Sequence, residues 1–362
     1  MDQLKDGQIC SARVRENQGR FKKMRKENDY ETDEHAQEHV VPPGLIVVQT
    51  EGILTGEITN KEIDESIKPT QVAGNFVGRI LRYLMGINGL RLWHSNENFG
   101  CSVGPNTFIA MQHVVQALKD KLLQVINSTN NIPKFQIFFN DHVINDFNAL
   151  FQSLPIDRSY YAFGFPGTFH GRLFPSRSIH FAHSSCAIHW LSKIPKELLD
   201  EKSPAWNKGS IHYIGTSNVE VVNAYVAQFE KEMEMLLNAR AEEIVEAGMI
   251  VLVTPFASYT SLMNCFGSSL MDLVNELDES LADSFNLPMY FPSPEDMTKV
   301  VEKNGCFSIE RMELTYPKSK LVNEADAKTL MINLRAVLEG LIINHFGSEI
   351  AEEDCARTIL KS

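Results

Sequence analysis

The sequence predicts an α/β protein whose core is a mostly parallel sheet covered on both faces by helices. Three observations carry this expectation. Short apolar runs recur at "FQIFF" (135–139), "SIHFAH" (178–183) and "MIVLVTP" (249–255), as in strands buried on both faces. Stretches with helical spacing separate them, the alternation that parallel strands with crossover helices require. Finally, a glycine-bearing run, "ENFGCSVGPNT" (97–107), leads through Pro105 into the first clear helix.

Taken in order, the first forty residues hold seventeen charges of mixed sign and few apolar residues, which favours a solvated helix or a disordered arm. "GLIVVQTEGILTGEI" (44–58) reads as a pair of strands turning near Glu51-Gly52, and "FVGRILRYLMGINGLRLW" (76–93) as an amphipathic helix weakened by glycines. Asn106 to Ile126 places Phe108, Met111, Val115, Leu118 and Leu122 on one helical face. The loop "NSTNNIP" (127–133) leads into the strand at 135–139, and the strand at 178–183 follows. Asn218 to Ala247 reads as a long helix ended by Gly248, before the buried strand 249–255. "LADSFNLPMYFPSPE" (281–295) is a proline-punctuated loop, and "CFSIERMEL" (306–314) is a late strand. No internal repeat is present. The chain divides at 95 into a divergent N-terminal segment (1–95) and a main domain (96–362).

Composition narrows the function classes. An apolar fraction of 43% in 362 residues supports a sizeable core. A net charge of −12 and a pI of about 5.4 argue against a duplex nucleic-acid binder and for a small-molecule enzyme. Six cysteines (10, 101, 186, 265, 306, 355) without a C-x-x-C pair suit free thiols in a reducing compartment. No apolar run reaches membrane-spanning length and "MDQLKDGQIC" lacks a signal h-region, so no membrane association and a cytoplasmic location are expected.

Within the glycine run, Gly100-Cys101-Ser102-Val103-Gly104 fits two different loops. As a G-x-S-x-G hydrolase elbow it makes Ser102 a nucleophile. An elbow follows an apolar strand, however, and needs a downstream acid and histidine as well as an upstream oxyanion loop. Here the polar "HSNEN" precedes it and no histidine-glycine loop lies before residue 100, although Asp283 and His345 could be cast as partners. As a cofactor seat, Gly100 and Gly104 allow close backbone approach, and the free amides of the helix opened by Pro105 face the ligand. That fold then needs an acid after the second strand for ribose hydroxyls, and "FQIFFND" supplies Asp141. Taken alone, Asp141 also fits a simple cap of the next turn. Loop, helix, strand and acid in this order favour the cofactor seat.

The runs "FGCSVGPNTFIAMQ", "FFNDHVINDFNALFQSLP", "YYAFGFPGTFHGRLFPSRSIHFAHSSCAIHWLSKIPKEL", "WNKGSIH" and "DSFNLPMYFPSPEDM" closely resemble the plant SABATH methyltransferases. These S-adenosylmethionine-dependent enzymes methylate salicylic, benzoic, jasmonic and related acids, or xanthine nitrogens. The resemblance spans roughly residues 97–346 and implies a Rossmann-like class I methyltransferase sheet with a helical cap insertion from about 200–345. It implies that Cys101 and Asn106 contact the cofactor, that Asp141 and His142 hold its adenosine, and that Thr168 and Phe169 lie along the adenine. Cys186, His189 and Trp190 match substrate-contacting positions, while Asn207, Asp283, Phe285 and Asn286 match a peripheral Mg2+ site. A homodimer is also implied. Without the resemblance, Trp190 and His189 read equally as core residues. A metal at His180, His183 and His189 is disfavoured because the first two fall on opposite faces of a strand.

Four departures stand out. The family's N-terminal serine-tyrosine pair and glutamine are not found in residues 1–95, and Asn98 stands where the first strand normally ends in an acid. Cys186 replaces a substrate tyrosine, and "CARTILKS" follows without the usual late hydrophobic strand. The chemistry expected is methyl-ester formation on a small-molecule carboxylic acid by in-line displacement at a sulfonium methyl. A carboxylate of pKa ~4 is already ionised at neutral pH, so no catalytic base is assigned. Xanthine-type N-methylation, or a non-catalytic relic of the fold, are the alternatives.

Overall fold

The computed structural model describes residues 42–50, 89–95, 105–126, 132–255, 260–275, 283–315 and 338–350. Among these residues seven strands form one sheet: β1 (Gly44–Thr50), β2 (Gly89–Ser95), β3 (Lys134–Asp141), β4 (Tyr161–Pro166), β5 (Ile179–Ser185), β6 (Ile244–Pro255) and β7 (Ser308–Thr315). Their order is β4-β3-β2-β5-β6-β1-β7, and every pairing in it is parallel. The helices are α1 (Asn106–Ile126), α2 (Phe147–Gln152), α3 (Val219–Glu243), α4 (Thr260–Asn275) and α5 (Pro294–Asn304), and residues 338–346 are also helical.

Three apolar clusters define the layers. On one face of the sheet, α1 and α2 pack over Ile46, Leu92, Ile137 and Val251. The five residues of the expected α1 face (Phe108, Met111, Val115, Leu118 and Leu122) are all fully buried, each worth about 2 kcal/mol of transfer free energy. On the other face, α3 and α5 cover Leu45, Val47, Ala182 and Leu252. The third cluster gathers Ile211, Phe266, Leu270, Phe285, Leu287 and Leu338 around Trp190 and forms the helical cap.

Several expectations change. Residues 89–93 extend into β2 and not a helix, because Leu90 and Leu92 alternate into the core at strand spacing. The remainder of that expected helix, and the second of the two strands expected beyond Thr50, lie outside the described residues. Helix α3 ends at Glu243, not Ala247, and β6 begins at once. Ala247 takes a left-handed φ of 57°, and a Cβ on Gly248 would stand 2.9 Å from His180 O, so this glycine serves a close strand approach, not a helix stop. Strand β4 was not foreseen: "YAFGFP" at the sheet edge lacks alternation, with Tyr161 and Phe163 both exposed. The sheet draws two strands from the segment before residue 96. Cys186 is a buried thiol, but Cys306 is disulfide-bonded, which scattered sequence spacing could not show.

Candidate functional site

In a parallel sheet the strand carboxyl ends share one edge, and ligands bind outside it where the strand order reverses. From β2 the chain proceeds outward to β3 and β4, whereas β5 and β6 lie on the other side, so the reversal falls between β2 and β5. Asp141 ends β3 opposite Pro166, Ser185 ends β5 opposite Val253, and β2 ends at Ser95 between them. Buried polar residues gather along this edge: Asn140, Asp141, Ser184, Ser185, Thr254 and Gln49.

On the β3 side, Asp141 is buried and its Oδ1 accepts the His142 N–H at 2.6 Å. The adjoining chain is tied to β3: Gly167 N–H donates to Asp141 O (2.9 Å), and Asn140 Nδ2 donates to Phe165 O (2.7 Å) and Gly167 O (2.8 Å). Gly167 carries a φ of 151° in that turn. Thr168, next along, is exposed, whereas the Phe169 ring is fully buried beneath the loop and tilts on His170 at 4.3 Å. Phe169 therefore offers a ligand its backbone more readily than its ring. Asn106 opens α1, half-buried, after Pro105. Cys101 lies outside the described residues.

On the β5 side, Cys186 follows the strand in a left-handed conformation, φ 51°, and its N–H donates to Val253 O at 2.9 Å. A non-glycine residue there is strained, a state that clusters at functional turns. The turn delivers His189 and Trp190, both buried, to the base of the cap, where Trp190 bridges to Met289. His189 stacks on Phe291 (centroids 5.6 Å, 15°) and lies 5.5 Å from Trp190. Burial alone pushes its pKa down to about 3, and neither ring nitrogen has a hydrogen-bond partner. The buried Asn140 Oδ1 is likewise unpartnered. Buried polar atoms are bonded as a rule, so these orphans, one near each arm of the edge, suit a bound polar ligand. The carboxylate of Asp141, the amino end of α1 and the glycine turn at 167 form a donor and acceptor set that fits a nucleoside-bearing cofactor.

Asn207, Asp283, Phe285 and Asn286 also come together. Asn207 Nδ2 donates to Asn286 Oδ1 (2.6 Å), Ser210 O (3.2 Å) and His212 O (3.3 Å), and Asp283 Oδ1 accepts from Gly209 N–H (3.0 Å). Those three acceptors orient the Asn207 amide and engage the Asn286 oxygen. Mg2+ demands near-octahedral oxygen ligands, and Asp283 brings the only charge of the four residues. Among the described residues no three His, Cys, Asp or Glu side chains gather. In this arrangement the four make a hydrogen-bonded clasp that does not fit a resident Mg2+.

Sequence reasoning passed over Asn140 and three charges of α3, Glu232, Arg240 and Glu243, all buried; Asn140 bonds the chain at 165–167, Arg240 and Glu243 the run 169–174 that leaves this edge, and Glu232 the segment after Trp190. Their signal was present: residues 232, 240 and 243 share the helical stripe of Phe229, Met233 and Leu236, where charge is out of place.

Comparison with known proteins agrees with this geometry. The family described as SAM dependent carboxyl methyltransferase matches residues 97–361. Loganic acid O-methyltransferase of Catharanthus roseus is 47% identical over 268 residues, 70% of each chain. Farnesoic acid carboxyl-O-methyltransferase of Arabidopsis thaliana is 37% identical, covering 71% of this chain and 75% of that protein. A 3,7-dimethylxanthine N-methyltransferase of Camellia sinensis var. assamica is 36% identical, covering 71% and 74%. The solved structure of a loganic acid methyltransferase with SAH superposes with a TM-score of 0.69 at 38% identity, over 86% of this chain and 91% of that one.

Proposed function

The chain belongs to the S-adenosylmethionine-dependent carboxyl methyltransferases, and from that premise we propose that it esterifies a small-molecule carboxylic acid lodged between Cys186, His189 and Trp190. The donor, when bound, supplies an electrophilic sulfonium methyl. Asp141 would accept hydrogen bonds from its ribose hydroxyls, the amino end of α1 would approach it by backbone, and Thr168 would flank its base. His189 donates one N–H to the acceptor, Trp190 walls the pocket, and the cap excludes water.

The observation that carries the choice of acceptor is the burial of His189. An imidazole held to a pKa of about 3 cannot take a proton at neutral pH. A carboxylate, already ionised, asks only for alignment and a donor; a xanthine N–H asks for a proton acceptor as well. The 36% identity to a dimethylxanthine N-methyltransferase keeps N-methylation as the second reading.

The test is a panel of plant acids and xanthines with a radiolabelled methyl donor. Labelled methyl esters are expected. Label on xanthines alone selects the second reading, and no label despite binding of S-adenosylhomocysteine (SAH) marks a non-catalytic relic. The proposal includes a homodimer, as the resemblance implies, and a cytoplasmic location, as the scattered cysteines suggest; sedimentation and a fluorescent fusion would check them. No helix among the described residues is long and apolar enough to cross a membrane.

A further inference from the structure

Arg240 and Glu243 form an ion pair at 2.8 Å, with side chains 1% and 0% exposed. A buried ion pair is a weak source of stability, since apolar residues of similar volume serve as well or better. Its partners therefore matter more than its existence. Arg240 Nη1 donates to Phe169 O (3.3 Å) and Nη2 to Gly171 O (2.8 Å). Glu243 Oε1 accepts the N–H of Leu173 and, at 2.9 Å, that of Phe174. Four backbone groups of one six-residue run thus end on two side chains from the last turn of α3.

The amino end of the same run is held by β3, through Asn140 and the Asp141 carbonyl to Gly167. Thr168 and Phe169 therefore lie between two fixed ends. One stripe further back on α3, Glu232 accepts the Ser192 N–H (2.9 Å) and Oγ–H (2.6 Å) and lies 3.7 Å from His170 Nε2. The helix so grips both the Thr168 loop and the segment that follows Trp190.

Resting on the function proposed above, we infer that Arg240 and Glu243 are positioning residues. Their pair holds the Thr168–Phe169 backbone against the methyl donor, so that donor affinity depends on it. The experiment compares SAH binding by calorimetry with thermal unfolding in the parent, in Arg240→Met/Glu243→Leu and in Arg240→Lys. Lysine keeps the charge beside Glu243 but loses the fork that spans two carbonyls. The double variant, in which four backbone groups at 169–174 lose their partners, is expected to melt below the parent yet stay folded at the assay temperature, and to bind SAH at least tenfold more weakly. Arg240→Lys is expected to bind three- to tenfold more weakly, with a rise in donor KM that exceeds any fall in kcat and an unchanged acceptor KM. Should the double variant not fold, Arg240→Lys decides. A folded variant with parental SAH affinity, or equal changes in donor and acceptor KM, overturns the inference. A parent that binds no SAH overturns the functional reading itself, and this inference with it.

Discussion

Asp141→Asn isolates the charge at the end of β3. The carboxylate is buried, and its Oδ1 takes the His142 N–H at 2.6 Å. An asparagine oxygen can keep that bond, so the fold should lose no more than about 1 kcal/mol. What disappears is the negative charge, and the second oxygen becomes an amide donor that meets a hydroxyl less well. Hydrogen bonds to charged groups contribute about 1.5–3 kcal/mol, and about 1.4 kcal/mol is tenfold in affinity. SAH should therefore bind roughly ten- to a hundredfold more weakly. Calorimetry on parent and variant, with circular dichroism to confirm the fold, measures it. Equal dissociation constants would show that the ribose is held elsewhere and would refute the strand-end-acid reasoning that first located the site.

Other outcomes follow from the same structure. Cys186→Tyr puts a phenol where the family resemblance has a substrate-contacting tyrosine, so kcat/KM should shift from long or bulky acids toward salicylate; a parent that already prefers salicylate, with a ratio the substitution leaves unaltered, removes residue 186 from the pocket. Burial holds His180, His183 and His212 to pKa values of about 4 and His189 to about 3, against 6.5 when exposed. The unfolded chain then takes up protons that the native one refuses, so stability is whole above pH 6.5 and falls as pH drops toward 4, by up to about 1.4 kcal/mol per unit for each histidine. Denaturant titrations at pH 7, 5.5 and 4.5 should show that loss, and a flat series would contradict it. Asn207→Ala removes bonds to Asn286 Oδ1, Ser210 O and His212 O, of which the first keeps the Tyr225 hydroxyl and the last the Ser210 hydroxyl, and should cost about 1–3 kcal/mol of unfolding free energy. Added chelator should leave parent and variant alike unaffected; a chelator-sensitive parent would restore the Mg2+ site.

Legibility followed the strength of local pattern. Helix α1 was readable to its bounds because Phe108, Met111, Val115, Leu118 and Leu122 face one core at a strict helical period. Strand β3 and Asp141 were readable because an apolar run ended in an acid. Strand β2 was obscured by averaging Leu90 and Leu92 into a longer glycine-broken window, and β4 by aromatic residues on both faces of an edge. Cys186, His189 and Trp190 were visible through the family resemblance alone, since nothing local separates an orphaned histidine from a satisfied one. Arg240 and Glu243 escaped because a charge pair inside a core can be recognised only when its distant partners, the backbone at 169–174, are in place.

Strand β1 is first in sequence yet lies inside the sheet, flanked by β6 and β7, strands that follow it by roughly 200 and 260 residues. Closing a loop that long costs about 2 kcal/mol more than closing one a tenth as long, and non-local parallel pairing is slow. During synthesis "LIVV" therefore leaves the ribosome long before either neighbour exists, its side chains uncovered and its backbone without a ladder. The β2–β3–β4 half can assemble from consecutive chain, whereas β7 joins the sheet only across β1. The late emergence of β6 and β7, not early translation, becomes the event that shields β1 from water.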